Sequence, residues 1–246
     1  MALLQPHIQL GKNLNIPYAV LPGDPARVDR IAMYLENVQE LAYNREYKSI
    51  CGTYKGVPIL AISTGIGGVS AGIAIEELAQ IGVKAMIRIG SCGSLQPQVK
   101  VGDIIIVNGA VRDDGTSKTY IDTTFPAVPN PFLMMACAAT AEEQNFPYHI
   151  GIARSHDSFY TEKEIEINKF WEKQGVLGCD METAALFTIG HLRGIQTASI
   201  LNNVVAYAED TSESISSYVD GETLSAQGEK NEIITALEAF VKLSKQ

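Results

Sequence analysis

Three arginines and three glycine-containing segments are the residues of this sequence best suited to hold a phosphate group. The segments are 22–25 (Pro-Gly-Asp-Pro), 64–68 (Thr-Gly-Ile-Gly-Gly) and 90–93 (Gly-Ser-Cys-Gly), and the arginines are Arg27, Arg45 and Arg88. A phosphate prefers backbone amides that no Cβ obstructs and planar guanidinium groups that hold two oxygens at once. Each segment alone is also an ordinary turn, and none fits the dinucleotide fingerprint or the P-loop pattern. Together they suggest a site for a small anion.

The elements around these segments indicate how they would be positioned. Short β-branched runs predict strands at 18–21, 59–63, 85–89, 104–107, 149–153 and 197–201, and helical patterns follow at 26–35, 70–81, 131–144, 182–193 and 227–243. This alternation predicts an α/β fold: a single domain, 1–246, with a mostly parallel twisted central sheet flanked by helices on both faces. Ligands of such sheets bind at the carboxyl ends of the strands, where the three glycine segments are predicted to form turns.

Composition narrows the class of protein. The 246 residues have a net charge of -9 with no compensating basic stripe, which argues against a nucleic-acid partner. The four cysteines (Cys51, Cys92, Cys137 and Cys179) form no close pair, so reduced thiols are a better interpretation than structural zinc. We find neither a secretory signal nor the roughly 20 apolar residues of a membrane span. We therefore expect a cytoplasmic protein without a membrane partner.

Six motifs, in this order and spacing, resemble the nucleoside phosphorylase-I family, which includes uridine phosphorylases and hexameric purine nucleoside phosphorylases. They are Pro22-Gly-Asp-Pro-Ala-Arg27, Arg45-Glu46, Ser63-Thr-Gly-Ile-Gly-Gly68, Arg88-Ile-Gly-Ser-Cys-Gly93, Ser158-Phe159 and Asp180-Met-Glu182. The likeness extends from about His7 to the C-terminal helix. Segments 42–48 and 90–97 are especially similar to the apicomplexan purine-cleaving members.

The resemblance implies an active site shared between subunits, in which Arg88 and Glu182 are catalytic. Phosphate would be held by Gly23, Arg27, Arg88, Ser91 and a neighbouring subunit's Arg45. Ribose would be held by Met181, Glu182 and the partner subunit's His7. The base would contact Gly93, Phe159, Lys163, Val204 and Val205. The minimum active unit would then be a dimer of a homo-oligomer, commonly a hexamer built as a trimer of dimers.

The resemblance also implies the reaction and what it requires. A nucleoside and inorganic phosphate would be the substrates, free base and (deoxy)ribose 1-phosphate the products, and no cofactor would be required. Glu46, Ile66 and Ser70 match positions that bind a monovalent cation such as K⁺ in some uridine phosphorylases.

Base recognition departs from both branches of the family. Purine-cleaving members have an aspartic acid after the last core strand that protonates the purine N7, and its equivalents here are Val204 and Val205. Uridine phosphorylases use a glutamine and an arginine shortly after the phenylalanine, where this chain has Lys163 and Ile165. Because the purine acid is absent, the sequence favours a uridine phosphorylase.

Three alternatives remain open. The nearest is a purine or broad-specificity nucleoside phosphorylase with unusual base contacts. A hydrolytic nucleosidase is a second alternative, although it would not need three phosphate-binding arginines. The third is a non-catalytic nucleoside-binding or sensor protein, for which a complete phosphate site has little use.

Overall fold

The computed structural model describes residues 4–207 and 223–245. The strands are β1 (Tyr18–Pro22), β2 (Glu36–Asn44), β3 (Tyr47–Tyr54), β4 (Val57–Ile62), β5 (Ala85–Ser94), β6 (Ile104–Asp113), β7 (Tyr148–His156), β8 (Gly178–Asp180) and β9 (Gln196–Val205). The α-helices in these ranges are α1 (Pro25–Ala32), α2 (Gly68–Ile81), α3 (Gly115–Tyr120), α4 (Pro131–Glu143), α5 (Glu164–Lys173), α6 (Thr183–Leu192) and α7 (Thr223–Leu243).

The strands form one mixed sheet in the order β2-β3-β4-β1-β5-β8-β7-β6-β9, and β9 also pairs with β5. The five strands from β5 to β9 therefore close into a ring, from which β1, β4, β3 and β2 extend as an open sheet. Within the described ranges the parallel pairs are β1–β4, β1–β5, β5–β9, β6–β7 and β7–β8. The antiparallel pairs are β2–β3, β3–β4, β5–β8 and β6–β9.

Helices cover both faces of this sheet. On one face α2 and α6 bury Ile75 and Phe187, and on the other α1, α4 and α7 form a second core that includes Phe240. The neighbouring residues Val20 and Leu21 of β1 belong to opposite cores, because successive side chains of a strand point to opposite faces. Double coverage explains why the central strands are continuous apolar runs.

The α/β class with helices on both faces is confirmed, and each predicted strand and helix is present with shifted ends. The sequence patterns missed β2, β3, β8, α3 and α5. Strand β2 lies at the edge of the sheet and is mostly exposed, so it lacks the apolar run that indicates a buried strand. Across residues 4–207 and 223–245, no helix is both long and apolar enough to cross a membrane.

One local prediction was wrong. Segment 90–93 is not a turn, because β5 continues through it to Ser94, pairing Gly90 with Leu201 of β9 and Gly93 with Cys179 of β8. The glycines of this segment allow neighbouring groups to lie close to the strand. A Cβ at Gly90 would lie 2.5 Å from the guanidinium Nη2 of Arg88, which folds back over this part of the strand.

Candidate active site

The first two glycine turns meet at the carboxyl end of β1. The amide of Thr64 donates to the Pro22 carbonyl at 2.9 Å, and the amide of Gly65 donates to the Gly23 carbonyl at 3.0 Å. Gly65 has a φ of +69°, and a Cβ there would lie 2.7 Å from the Cγ of Glu46. Only glycine accepts both constraints without strain. Strand β5 runs parallel beside β1, so its carboxyl half lies next to these turns.

Arg27 lies in the first turn of α1, which Asp24 caps by accepting a 2.8 Å hydrogen bond from the Ala26 amide. Its side chain is 4% exposed and reaches across to β5. There Nη2 donates to the Ser91 hydroxyl at 3.1 Å, and Nη1 donates to the Ile89 carbonyl at 3.4 Å. The structure thus brings together two of the predicted phosphate ligands, Arg27 and Ser91.

Two acids on α7 hold Arg27 from behind, and the sequence analysis missed both. The Arg27 Nε donates to Glu229 Oε2 at 2.9 Å, and Nη1 lies 3.2 Å from Glu232 Oε1. Glu232 is fully buried, and its Oε2 accepts a 3.1 Å hydrogen bond from the Gly90 amide. Burial raises the pKa of this carboxyl to about 8, against the opposing attraction of Arg27. The available signal was two acids three positions apart in an otherwise apolar helical face.

Arg88 occupies the middle of β5 and is paired with two carboxylates at the β8–α6 junction. Its Nε donates to Asp180 Oδ2 at 3.0 Å, and its Nη2 lies 2.5 Å from Glu182 Oε2. All three side chains are buried. Burial lowers the pKa of Arg88, but the attraction of Glu182 and Asp180 outweighs it, so the net pKa is raised and the guanidinium stays charged.

Glu182 is held in place by backbone donors as well as by Arg88. Its Oε1 accepts a 2.5 Å hydrogen bond from the Gly67 amide in the second glycine turn, and the half-buried Met181 donates its amide to Oε2 at 3.3 Å. Burial raises the pKa of the Glu182 carboxyl, while Arg88 lowers it. The second glycine turn therefore positions a carboxylate rather than presenting this amide to an anion.

Asp180 was part of a motif in the sequence but was not assigned a role. It accepts hydrogen bonds from the Ser155 hydroxyl (2.5 Å), the Thr183 amide (2.9 Å) and the Thr183 hydroxyl (2.5 Å), in addition to Arg88. A carboxylate with this many donors keeps its orientation. Asp180 therefore fixes the direction of the Arg88 side chain.

His7 is connected through Asn44 to the turn that bears Arg45. The Asn44 side chain, next to the exposed Arg45, donates to the His7 carbonyl at 2.7 Å. Glu77 of α2 accepts from the His7 amide at 3.0 Å and lies 2.6 Å from its Nδ1. The imidazole is 39% exposed. One surface of the molecule thus presents both residues predicted to serve a neighbour's site.

The residues predicted to bind a cation lie beside the second glycine turn. The Ser70 hydroxyl is 2.5 Å from Glu46 Oε1 and 2.6 Å from the Thr64 carbonyl, whereas the Ile66 side chain is 80% exposed. The bond from Ser70 is the main cause of a lowered pKa for the Glu46 carboxyl. In the described part of the chain, no cluster of three or more His, Cys, Asp or Glu side chains could hold a metal ion.

The predicted base contacts form an apolar wall and a more exposed segment. Val204 and Val205 are buried at the end of β9, and a Cβ at Gly93 would lie 3.7 Å from the Val205 Cβ. Phe159 is half-buried and contacts Tyr160 edge to face at 4.9 Å. Lys163 is exposed and immediately precedes α5. Val205 is therefore the valine that faces the glycine predicted to admit the base.

A buried arginine beside this wall was also missed. Arg154 of β7 donates from Nε to Asp113 at 2.8 Å and from Nη1 to Glu164 at 3.3 Å and Asn168 at 3.4 Å. It pairs in register with Cys179 of β8. These contacts tie α5, which follows Lys163, to the ring of strands.

Comparisons with known proteins agree with this architecture. A family model described as the phosphorylase superfamily matches residues 17–234. A uridine phosphorylase of Thermococcus kodakarensis is 41% identical over 74% of this chain and 70% of its own. A purine nucleoside phosphorylase of Plasmodium vivax is 42% identical over 80% of this chain and 81% of its own. The crystal structure of uridine phosphorylase from Vibrio fischeri ES114 superposes with a TM-score of 0.91 at 46% identity, covering 97% of both chains.

The site and the fold therefore define a phosphorylase-type α/β protein. The chain belongs to the phosphorylase superfamily.

Proposed function

We propose that this protein is a pentosyltransferase that cleaves a nucleoside with inorganic phosphate, releasing the free base and (deoxy)ribose 1-phosphate, with uridine as the preferred nucleoside. The observation that supports the proposal most directly is the pair of buried guanidinium groups, Arg27, which donates to the Ser91 hydroxyl, and Arg88, which lies three residues before Ser91 in β5. Each is oriented by carboxylates of its own chain. Named relatives include both uridine and purine nucleoside phosphorylases.

Phosphorolysis needs alignment and charge stabilisation more than covalent catalysis. One phosphate oxygen forms a bond to C1′ while the bond from C1′ to the base nitrogen breaks, and the electron pair leaves with the base. Gly23, Arg27, Arg88 and Ser91 hold the phosphate dianion where it both attacks and stabilises the developing positive charge on the ribose. Glu182, with Met181 beneath the sugar, binds the ribose hydroxyls through charge-assisted hydrogen bonds.

The remaining phosphate and ribose ligands come from a second copy of the chain. Arg45 is exposed in the turn between β2 and β3, and His7 lies next to it, held by Glu77 and Asn44. A single surface bearing a guanidinium and an oriented imidazole fits the role of completing a neighbour's phosphate and ribose sites. The active unit is therefore a dimer, and the hexamer is a trimer of such dimers.

The proposed preference for uridine is based on the apolar residues at the end of β9. Val204 and Val205 are buried and neither can protonate a purine N7. Gly93 admits the base, Phe159 packs against the base or the sugar, and Lys163 donates to a pyrimidine carbonyl. A purine or broad-specificity phosphorylase is the second candidate, and the Plasmodium relative named for purine nucleosides favours keeping it in the test.

A monovalent cation such as K⁺ is proposed at Glu46, Ile66 and Ser70. The Glu46 carboxylate and the Ser70 hydroxyl are hard oxygen groups that lie together beside the second glycine turn, where Ser70 donates a hydrogen bond to Glu46, and the pKa of the Glu46 carboxyl is lowered, so it is charged at neutral pH. Turnover should then rise when KCl replaces an equal concentration of tetramethylammonium chloride, and a Ser70→Ala variant should lose that response. Equal turnover in both salts contradicts the cation site without affecting the phosphorylase assignment.

The four cysteines are all free, which supports a reducing, cytoplasmic location.

The proposed function is tested by incubating the purified protein with uridine, inosine, adenosine and thymidine, each with and without inorganic phosphate, and measuring free base by chromatography. Base released only with phosphate, and fastest from uridine, is the expected result. Equal release without phosphate indicates a hydrolase. Binding of nucleosides without any release indicates a sensor protein.

A further inference from the structure

Glu232 contacts both the Arg27 side chain and the strand that bears Arg88 and Ser91, although it belongs to neither glycine turn. It projects from α7 into the protein and is fully buried. Its Oε2 accepts the hydrogen bond from the Gly90 amide in β5, and its Oε1 lies 3.2 Å from Arg27 Nη1 of α1. Among the described residues, Oε1 has no partner in hydrogen-bonding geometry. One carboxyl therefore contacts the helix that bears Arg27 and the strand that bears Arg88.

The charges around Glu232 come from three elements. Arg27 of α1 and Arg88 of β5 attract its carboxylate, and Glu229, one turn earlier on α7, repels it. The charge of Glu232 also contributes to the raised pKa of the Cys92 thiol in β5. Burial dominates, and it raises the pKa of the Glu232 carboxyl to about 8. The group therefore exchanges its proton near neutral pH, whereas a solvated glutamate does so far below it.

Adding a phosphate dianion beside Arg27 changes this balance. The anion competes with the Glu232 carboxylate for the same guanidinium, and two anions on one buried cation repel each other. A neutral carboxyl keeps its bond from the Gly90 amide through the carbonyl oxygen, and it no longer competes with the phosphate for the charge of Arg27. Protonation thus removes the repulsion while the contact that positions β5 is retained.

We propose that Glu232 is a positioning residue that makes the phosphate site proton-linked: binding of one phosphate dianion beside Arg27 takes up one proton from solvent at the Glu232 carboxyl. This inference rests on the proposed function, since it assumes that the anion bound beside Arg27 is phosphate. It assigns Glu232 no contact with the reacting atoms.

Calorimetry of phosphate binding tests the inference without any turnover. Inorganic phosphate is titrated into the wild-type protein at pH 8.5, where free phosphate is almost entirely the dianion, in two buffers of different ionisation enthalpy. We expect uptake of about one half to one proton per site, as linkage requires for a carboxyl that is mostly ionised at that pH. The Glu232→Gln variant should bind phosphate with uptake near zero, whereas Glu238→Gln should behave as wild type. Glu238 is the matched control because it lies on the same helix but bonds Tyr54.

Steady-state kinetics supplies a second readout that a purely structural role would not change. The KM for phosphate of the wild type should rise about tenfold per pH unit above the pKa of Glu232, while kcat changes little. In Glu232→Gln this rise should disappear, so that the variant binds phosphate more tightly than wild type at pH 9.

The outcomes separate the inference from the proposed function. Phosphate binding by the wild type without proton uptake, or uptake that persists in Glu232→Gln, overturns the role of Glu232 while leaving phosphorolysis intact. Proton-linked phosphate binding without phosphorolysis supports Glu232 and contradicts the proposed activity. Absence of phosphate binding by the wild type overturns both.

Discussion

The Arg88 guanidinium folds back over Gly90 of its own strand, so that a Cβ at position 90 would lie 2.5 Å from Nη2 and 2.8 Å from Cζ. The same arginine is fixed on its other side by Asp180 and Glu182. The absence of a side chain at Gly90 therefore leaves room for the Arg88 guanidinium in this conformation.

Replacing Gly90 with alanine should displace Arg88 and spare the fold. The added methyl group meets the far end of a flexible side chain rather than backbone, so the arginine can move away. We expect kcat/KM to fall by at least about 100-fold, comparable to losing a preorganised charged donor. The matched control is Gly109→Ala in β6, where a Cβ would have no neighbour closer than 3.9 Å. Comparable activity of the two variants would show that the position of Arg88 is unimportant.

Arg88→Ala should keep the native circular dichroism spectrum and lose phosphorolysis. Removal of the guanidinium leaves Asp180 and Glu182 without their shared cation, and the loss should be about 2–5 kcal/mol of transition-state stabilisation. Arg193→Ala is the control, since Arg193 forms an exposed ion pair with Glu76. Initial rates at saturating phosphate measure the effect. Near-normal turnover of Arg88→Ala refutes the assignment of Arg88.

Complementation between subunits tests the shared site. If the site is shared as proposed, Arg88→Ala should inactivate a subunit's own site, whereas Arg45→Ala should inactivate the site of its neighbour. Co-expression of the two variants should restore up to about one quarter of wild-type activity, because half of the dimers are mixed and each mixed dimer has one complete site. Co-expressed Arg88→Ala and Arg27→Ala should restore none. The absence of recovery in the first pair means that Arg45 does not serve a neighbour.

Substitutions at Val205 and Val204 test whether the end of β9 determines the preference for uridine over a purine nucleoside. Val205 packs beside Gly93, so Val205→Asp places an acid next to the predicted base site. We expect the ratio of kcat/KM for inosine to that for uridine to rise at least about tenfold, because a positioned general acid favours the purine leaving group. Val204→Asp places the acid at the other predicted equivalent of the purine acid and shows what burying an acid at the end of β9 does by itself. An equal ratio in both variants argues that Val205 does not face the base.

The buried Glu232 carboxyl should make stability fall as pH rises. Its pKa is raised to about 8 in the native state from an ordinary value of 4.5, so between these values the native state retains a proton that the unfolded state releases. The free energy of unfolding of wild type should therefore decline relative to Glu232→Gln between pH 5 and pH 8, by roughly 3–4 kcal/mol. Urea unfolding at both pH values measures the difference. A constant difference at the two pH values contradicts the raised pKa.

The amino-acid sequence by itself determined the fold class and the family, and it predicts which residues bind phosphate and ribose. These residues lie in short contiguous motifs, such as 22–27 and 88–93, where a strand, its glycines and an arginine are adjacent in the chain. Motifs of this kind can be recognised in the sequence, because side-chain alternation and the backbone freedom of glycine depend on only a few neighbouring residues.

Only the tertiary structure decided which groups orient the side chains of these predicted residues. Glu229 reaches Arg27 from 202 positions away, and Asn44 connects His7 to the turn that bears Arg45. Segment 90–93 became strand rather than turn because β8 and β9 pair with it. Such contacts depend on how distant elements pack together, and local periodicity does not encode the partner of a buried charge. The same packing excludes water from Glu232 and raises its pKa, which no inspection of the α7 sequence alone could have shown.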